Sequence, residues 1–228
     1  APFWWCVAGI VATGVLNINA FGLPTLLLKI VLFFLATLWL LLNRVDNQGF
    51  DYPLVRVKYG LLLAMAPLAV LEAVVQTRYF LGLEPEVITS CCGSLFSAEG
   101  KSVAAELAGW PARPALLLFY AMAGLLLGIG LAFRRWLWLG PLFAAGSLLT
   151  FVVAIAAIIA FLSLYIYENP NHHCPFCLLK AGYGYVGYAL YLPLFAATAA
   201  GLSAGVIVQF RKKSILRVVI PGEARRLL

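Results

Sequence analysis

Apolar residues in this chain run together in stretches near or above the roughly 20 residues that a spanning helix requires. Such runs cover residues 3–21, 24–42, 55–81, 114–133, 139–166 and 175–210. The breaks between them carry turn and interface signals. Gly22 to Pro24 punctuate the first two runs. Asn43 to Tyr52 are polar and include Arg44, Asp46 and Asp51. Residues 82–113 form a long polar segment. Arg134-Arg135 close the fourth run, beside Trp136 and Trp138, ring types that suit the headgroup layer. The first run lacks a basic leading segment and reads as a helix, not a cleaved signal. The pattern predicts an all-α, polytopic membrane helix bundle of six transmembrane helices in one integral membrane domain, with lipid as its surroundings.

Composition agrees: 64% of residues are hydrophobic and 11% charged, against about half and a quarter in a soluble domain. Mean hydropathy is +0.97. Disorder and a small secreted disulfide scaffold are excluded. The net charge of +7 changes the picture only through its placement. Eleven of the sixteen basic residues lie in 43–58, at 134–135 and in the tail after 210. By the positive-inside rule these segments face the cytoplasm, and six spans put both termini there. The charge is therefore a topology signal, and no nucleic-acid partner is expected. The tail reads as a solvated charge run near anionic lipid. The 82–113 segment, with four glutamates, and the break after 166 fall on the outer face of a plasma (inner) membrane.

The candidate chemistry lies in Asn169-Pro170-Asn171-His172-His173-Cys174-Pro175-Phe176-Cys177, which holds both histidines and two of the five cysteines. Proline is favoured at the first position of a helix. That predicts Cys174 at the N-cap of the last span and Cys177 one turn inside, on the same face. A helix N-terminus favours a thiolate there, as would a protonated His172 or His173, and the thiolate is the species that attacks disulfides. Two other readings stay open at this point. One is a permanent disulfide pinning the helix start. The other is a zinc or copper site drawn from Cys91, Cys92, His172, His173, Cys174 and Cys177. Leu178 follows Cys177, so covalent haem attachment through Cys-x-x-Cys-His is not encoded. Cys6, inside an apolar run, reads as a small hydrophobe.

Four further features stand out. Cys91 and Cys92 are adjacent, so a disulfide between them closes only as a strained ring. One of them could instead exchange with the Cys174/Cys177 pair or link the loop to it. Glu72 is the acid placed inside a span, with Pro67 nearby; it reads as a proton-handling group beside a quinone or as the partner of Lys29. Tyr185 and Tyr188, spaced to share a helix face with Tyr191, could stack a flat quinone or simply pack. Gly124/Gly128 and Gly201/Gly205 have the four-residue spacing of close helix packing in lipid.

The order of these parts resembles the vitamin K epoxide reductase family: a span, an outer loop with a cysteine pair, two spans, then a Cys-x-x-Cys opening the next helix. It is similar in outline to the bacterial quinone-reducing disulfide oxidases. The resemblance covers about residues 55–200. It implies a four-helix redox core at 54–210, two extra helices in 1–53 and a basic cytoplasmic tail at 211–228. It further implies that Cys174 and Cys177 exchange electrons with quinone, and that Cys91 and Cys92 shuttle them to a thioredoxin-like partner outside the membrane. The adjacency of the loop cysteines, the His172-His173 pair and the extra spans depart from the family pattern. The expected function is a membrane thiol–disulfide oxidoreductase, with Cys177 toward the carrier and Cys174 toward the loop. The alternatives are a metal-handling membrane protein and a structural subunit of a larger membrane complex.

Overall fold

A computed structural model describes residues 21–82, 110–168, 174–213 and 216–227. The expected first span, Cys6, Cys91, Cys92, His172 and His173 lie outside these residues. The described chain is helical, without strands. Its long helices are α1 (Gly22–Gln48), α2 (Val55–Leu81), α3 (Ala112–Arg135), α4 (Gly140–Ala157) and α6 (Val186–Ile207). A single π turn, Ile158–Leu162, joins α4 to the short α5 (Ser163–Tyr167). A last helix, α7, covers Val219–Arg226. Five helical segments among the described residues are long and apolar enough to cross a membrane, the make-up of a multi-pass membrane protein. Their exposed surface is rich in large apolar side chains, such as Leu63, Leu117, Leu127 and Leu131, as lipid contact requires.

The chain separates into two compact units. One combines Ala1–Phe33, Ala66–Leu117 and Ile155–Tyr191; the other combines Phe34–Met65, Leu118–Ala154 and Leu192–Leu228.

The second unit is closed by polar groups that pair inside it. Helix α1 runs to Gln48, through the polar stretch expected to be a loop. The reason is that its polar groups find protein partners. Asp46 is fully buried, accepts the Leu54 amide at 2.6 Å and lies 2.9 Å from Lys58 Nζ. Lys58 also donates to Asn43 Oδ1 at 2.9 Å, and its carbonyl accepts the Trp39 indole N–H. The tail is likewise not a solvated run. Leu216, Ile220 and Ala224 are buried against Leu42, Val45, Leu54, Phe133 and Ile207. Glu223, also buried, takes Arg44 at 3.3 Å and Arg226 at 2.9 Å. Hydropathy averaged along the tail misses this, because α7 is amphipathic: its buried apolar residues Ile220 and Ala224 fall four apart, on one face.

In this unit Phe34, Phe151 and Phe195 meet with ring centroids 5.0–5.6 Å apart. Nearby, α4 and α6 approach through small residues. A Cβ added at Gly205 would run into the Gly140 carbonyl and Ala144, and one at Gly201 into Ser147. Gly124 and Gly128 meet nothing within 4 Å, so the same spacing on α3 does not mark a contact in this unit. Gly205→Ala is therefore expected to destabilise by about 1–3 kcal/mol through overpacking against backbone. Gly128→Ala is expected to be neutral or to stabilise by up to about 1 kcal/mol through helix propensity. Unfolding midpoints of the two variants in detergent check this contrast; equal shifts would contradict it.

Candidate functional site

The site lies in the first unit and begins with the way α5 ends. Glu168 adopts φ +51°, the left-handed conformation that stops a helix, and its N–H caps the Leu164 carbonyl. Residues 175–185 do not continue into the last spanning helix, as the apolar run suggested. Two short 3-10 turns, Cys177–Leu179 and Ala181–Tyr183, fill this stretch. Gly184 at φ +62° and Tyr185 at φ +57° then reverse the chain before α6 starts at Val186. Consecutive left-handed residues cannot be part of an α-helix. Cys174 is thus not the N-cap of the spanning helix. The pair sits ahead of α6 in the chain, separated from its start by the two 3-10 turns.

The local geometry nevertheless brings the two cysteines together. Cys177 N–H donates to the Cys174 carbonyl at 3.3 Å, closing a turn of four residues. Such a turn holds its end Cα atoms within about 7 Å, and disulfides form at Cα separations of about 4.4–6.8 Å. Both side chains are buried, Cys174 at 0% and Cys177 at 3% exposure, in a cluster with Ile159. Ile155, Tyr167, Phe176 and Tyr183 pack around them. The Tyr167 and Tyr183 rings meet edge to face, with centroids 4.5 Å apart. Gly187, on the first turn of α6, lies so close to the turn that a Cβ there would come within 2.9 Å of the Leu178 carbonyl carbon.

Two tyrosine hydroxyls hold the turn by its backbone. Tyr167 donates to the Cys174 carbonyl at 2.7 Å, and Tyr191 donates to the Pro175 carbonyl at 2.8 Å. The π turn explains how Tyr167 arrives there. In an unbroken α-helix Tyr167, eight residues after Ile159, would sit about 80° around the axis from it. A π turn takes up one extra residue, about 100°, which brings Tyr167 to within about 20° of Ile159. Within this turn the carbonyl of Ile159 accepts the Ser163 hydroxyl at 2.7 Å.

The other expected site residues divide. Glu72 pairs with Lys29, which also donates to Gln76 Oε1 at 2.9 Å; the side chains of the ion pair are largely buried. Between the two expected readings, the carboxylate is engaged as a partner of Lys29. Tyr185 precedes α6, so it does not share a helical face with Tyr188 and Tyr191. Tyr185 and Tyr188 are exposed and form a tilted ring pair at 6.1 Å. The tyrosines that reach the cysteines are Tyr167, Tyr183 and Tyr191. Of these, Tyr167 carried no signal in the sequence, because its register depends on the π turn. Among the described residues no three His, Cys, Asp or Glu side chains gather as a metal site. The remaining ligands of the metal reading lie outside the described residues.

Comparison of the whole chain with protein-family models, with curated proteins and with solved structures returned no match, so its function has to be argued from this site.

Proposed function

We propose that this chain is a membrane thiol–disulfide oxidoreductase whose working pair is Cys174 and Cys177. The observation that carries the reading is the buried four-residue turn that joins these two cysteines under a cover of aromatic rings. Buried thiols are out of reach of a folded soluble protein. They suit exchange with the chain's own loop cysteines, Cys91 and Cys92, or with a small apolar carrier arriving through lipid. A quinone is such a carrier, and the exposed rings of Tyr185 and Tyr188 offer it a stacking surface close in sequence to the pair.

The chemistry balances in either direction. A thiolate at Cys174 attacks a loop disulfide and forms a mixed disulfide; the Cys177 thiolate then displaces the loop thiol. This leaves Cys174–Cys177 oxidised and the loop reduced by two electrons and two protons. A quinol regenerates the dithiol by giving up two electrons and two protons and becoming quinone. In reverse, the loop dithiol reduces the Cys174–Cys177 disulfide, and quinone then takes the two electrons and two protons from the pair as quinol. The loop cysteines would serve a thioredoxin-like protein on the outer side, with the basic segments and both termini at the cytoplasmic face of the plasma membrane.

The test is the thiol state of the pair. Protein reduced in lipid bilayers is mixed with a short-chain quinone, quenched in acid, unfolded and alkylated. Cys174 and Cys177 are expected to lose alkylation on quinone addition and regain it with dithiothreitol. Labelling that never responds would sink the oxidoreductase reading.

A further inference from the structure

We infer that Tyr167 and Tyr191 are positioning residues for the cysteine pair, a role that rests on the oxidoreductase reading. Their hydroxyls donate to the successive carbonyls of Cys174 and Pro175. They approach from different elements, Tyr167 at the end of α5 and Tyr191 in α6. Cys174 C=O also accepts the Cys177 amide, so both lone pairs of that oxygen are engaged. The turn between the thiols is therefore clamped from two sides by groups that never touch sulfur through these bonds.

The clamp acts on one redox state more than on the other. In the disulfide, the S–S bond itself holds Cys174 and Cys177 together. In the dithiol, the backbone turn carries more of that task, and it opens more readily when its carbonyls lose their partners. Holding the dithiol closed raises the effective concentration of one thiol at the other, as any linkage of two reacting groups does. Removing the hydroxyls lowers it, so the disulfide becomes easier to reduce. A typical net hydrogen-bond contribution corresponds to about fivefold in an equilibrium constant.

The experiment equilibrates full-length protein in lipid with buffers of reduced and oxidised glutathione and reads the Cys174/Cys177 state by acid quench and alkylation. Tyr167→Phe and Tyr191→Phe keep the rings, including the contact of Tyr167 with Tyr183. Each is expected to lower the equilibrium constant for disulfide formation about fivefold, and the double variant on the order of twentyfold. Tyr165→Phe, at an exposed ring, is expected to leave it unchanged. A thermal melt run in parallel separates this from loss of fold: the single variants are expected to melt cooperatively, with the equilibrium shifted below the melting range. A wild-type pair that cycles while both single variants match it overturns the clamp alone. A wild-type pair that never closes overturns the clamp together with the redox reading.

Discussion

Cys174→Ala and Cys177→Ala are each expected to lose the proposed quinone-linked thiol oxidation by on the order of 10³-fold or more, the scale of effect seen when a catalytic nucleophile is removed. Both side chains are buried among Ile155, Ile159, Tyr167 and Phe176, so alanine leaves a small cavity. The cost to stability is about 1 kcal/mol, the order expected for one deleted buried atom. The two variants also fail differently. With Cys177 gone, the attack by Cys174 on a loop disulfide has no resolving thiol. The Cys177→Ala protein is expected to accumulate a mixed disulfide between Cys174 and Cys91 or Cys92, visible by mass spectrometry of non-reduced peptides. The Cys174→Ala protein is expected to lack one, because Cys177 is assigned to the carrier side. Turnover unchanged in either variant would remove the pair from the mechanism, and equal mixed-disulfide yields would remove the division of labour.

The second large effect is at Asp46. This carboxylate is fully buried and holds both the Leu54 amide and Lys58. Asp46→Ala leaves the buried Lys58 ammonium bonded to Asn43 but without its counter-charge, and the Leu54 amide without its acceptor. Breaking one half of a buried ion pair typically costs 3–5 kcal/mol, about twice the overpacking at Gly205. Pairing it with Lys58→Met removes the stranded charge, and the double variant is expected to recover a large part of the loss. Asp46→Asn, which keeps an acceptor for Leu54, is expected to fall between. Denaturant or thermal unfolding in detergent reads the series. An Asp46→Ala protein within about 1 kcal/mol of wild type would show that the network contributes little.

The spanning helices were legible because hydropathy sums over neighbouring residues and needs no knowledge of contacts. The expected second, third, fourth and fifth spans all appear, with ends displaced by a few residues. The ends moved where polar groups found partners inside the fold. Asn43 to Gln48 stay helical because Lys58 and Leu54, the latter eight residues beyond Asp46, satisfy them. The last span begins late for the opposite reason. Residues 175–185 are apolar enough to belong to it, yet Gly184 and Tyr185 turn left-handed and break it. Hydropathy does not report backbone conformation, so the sequence offered the wrong start.

The candidate site divides along the same line. Cys-x-x-Cys spacing lets two cysteines meet across one turn, but four extended residues span about 10 Å, so the turn itself came from the structure. Which tyrosines serve that turn was not readable. Tyr185 and Tyr188 looked favoured by spacing, while Tyr167 depends on a π turn and Tyr191 on a hydrogen bond to a residue 16 positions away.

By itself, then, the sequence determined a helical, membrane-spanning chain and placed two thiols, Cys174 and Cys177, three positions apart. Both properties are local: the first follows from runs of apolar residues, the second from spacing along the chain. Only the tertiary structure decided that the pair is buried ahead of α6, that Tyr167 and Tyr191 grip its backbone, and that the basic tail folds back through Glu223. Gln48 and Glu223, 175 residues apart, come within 3.5 Å. Packing makes such meetings, since it sets distance between side chains independently of their separation along the chain.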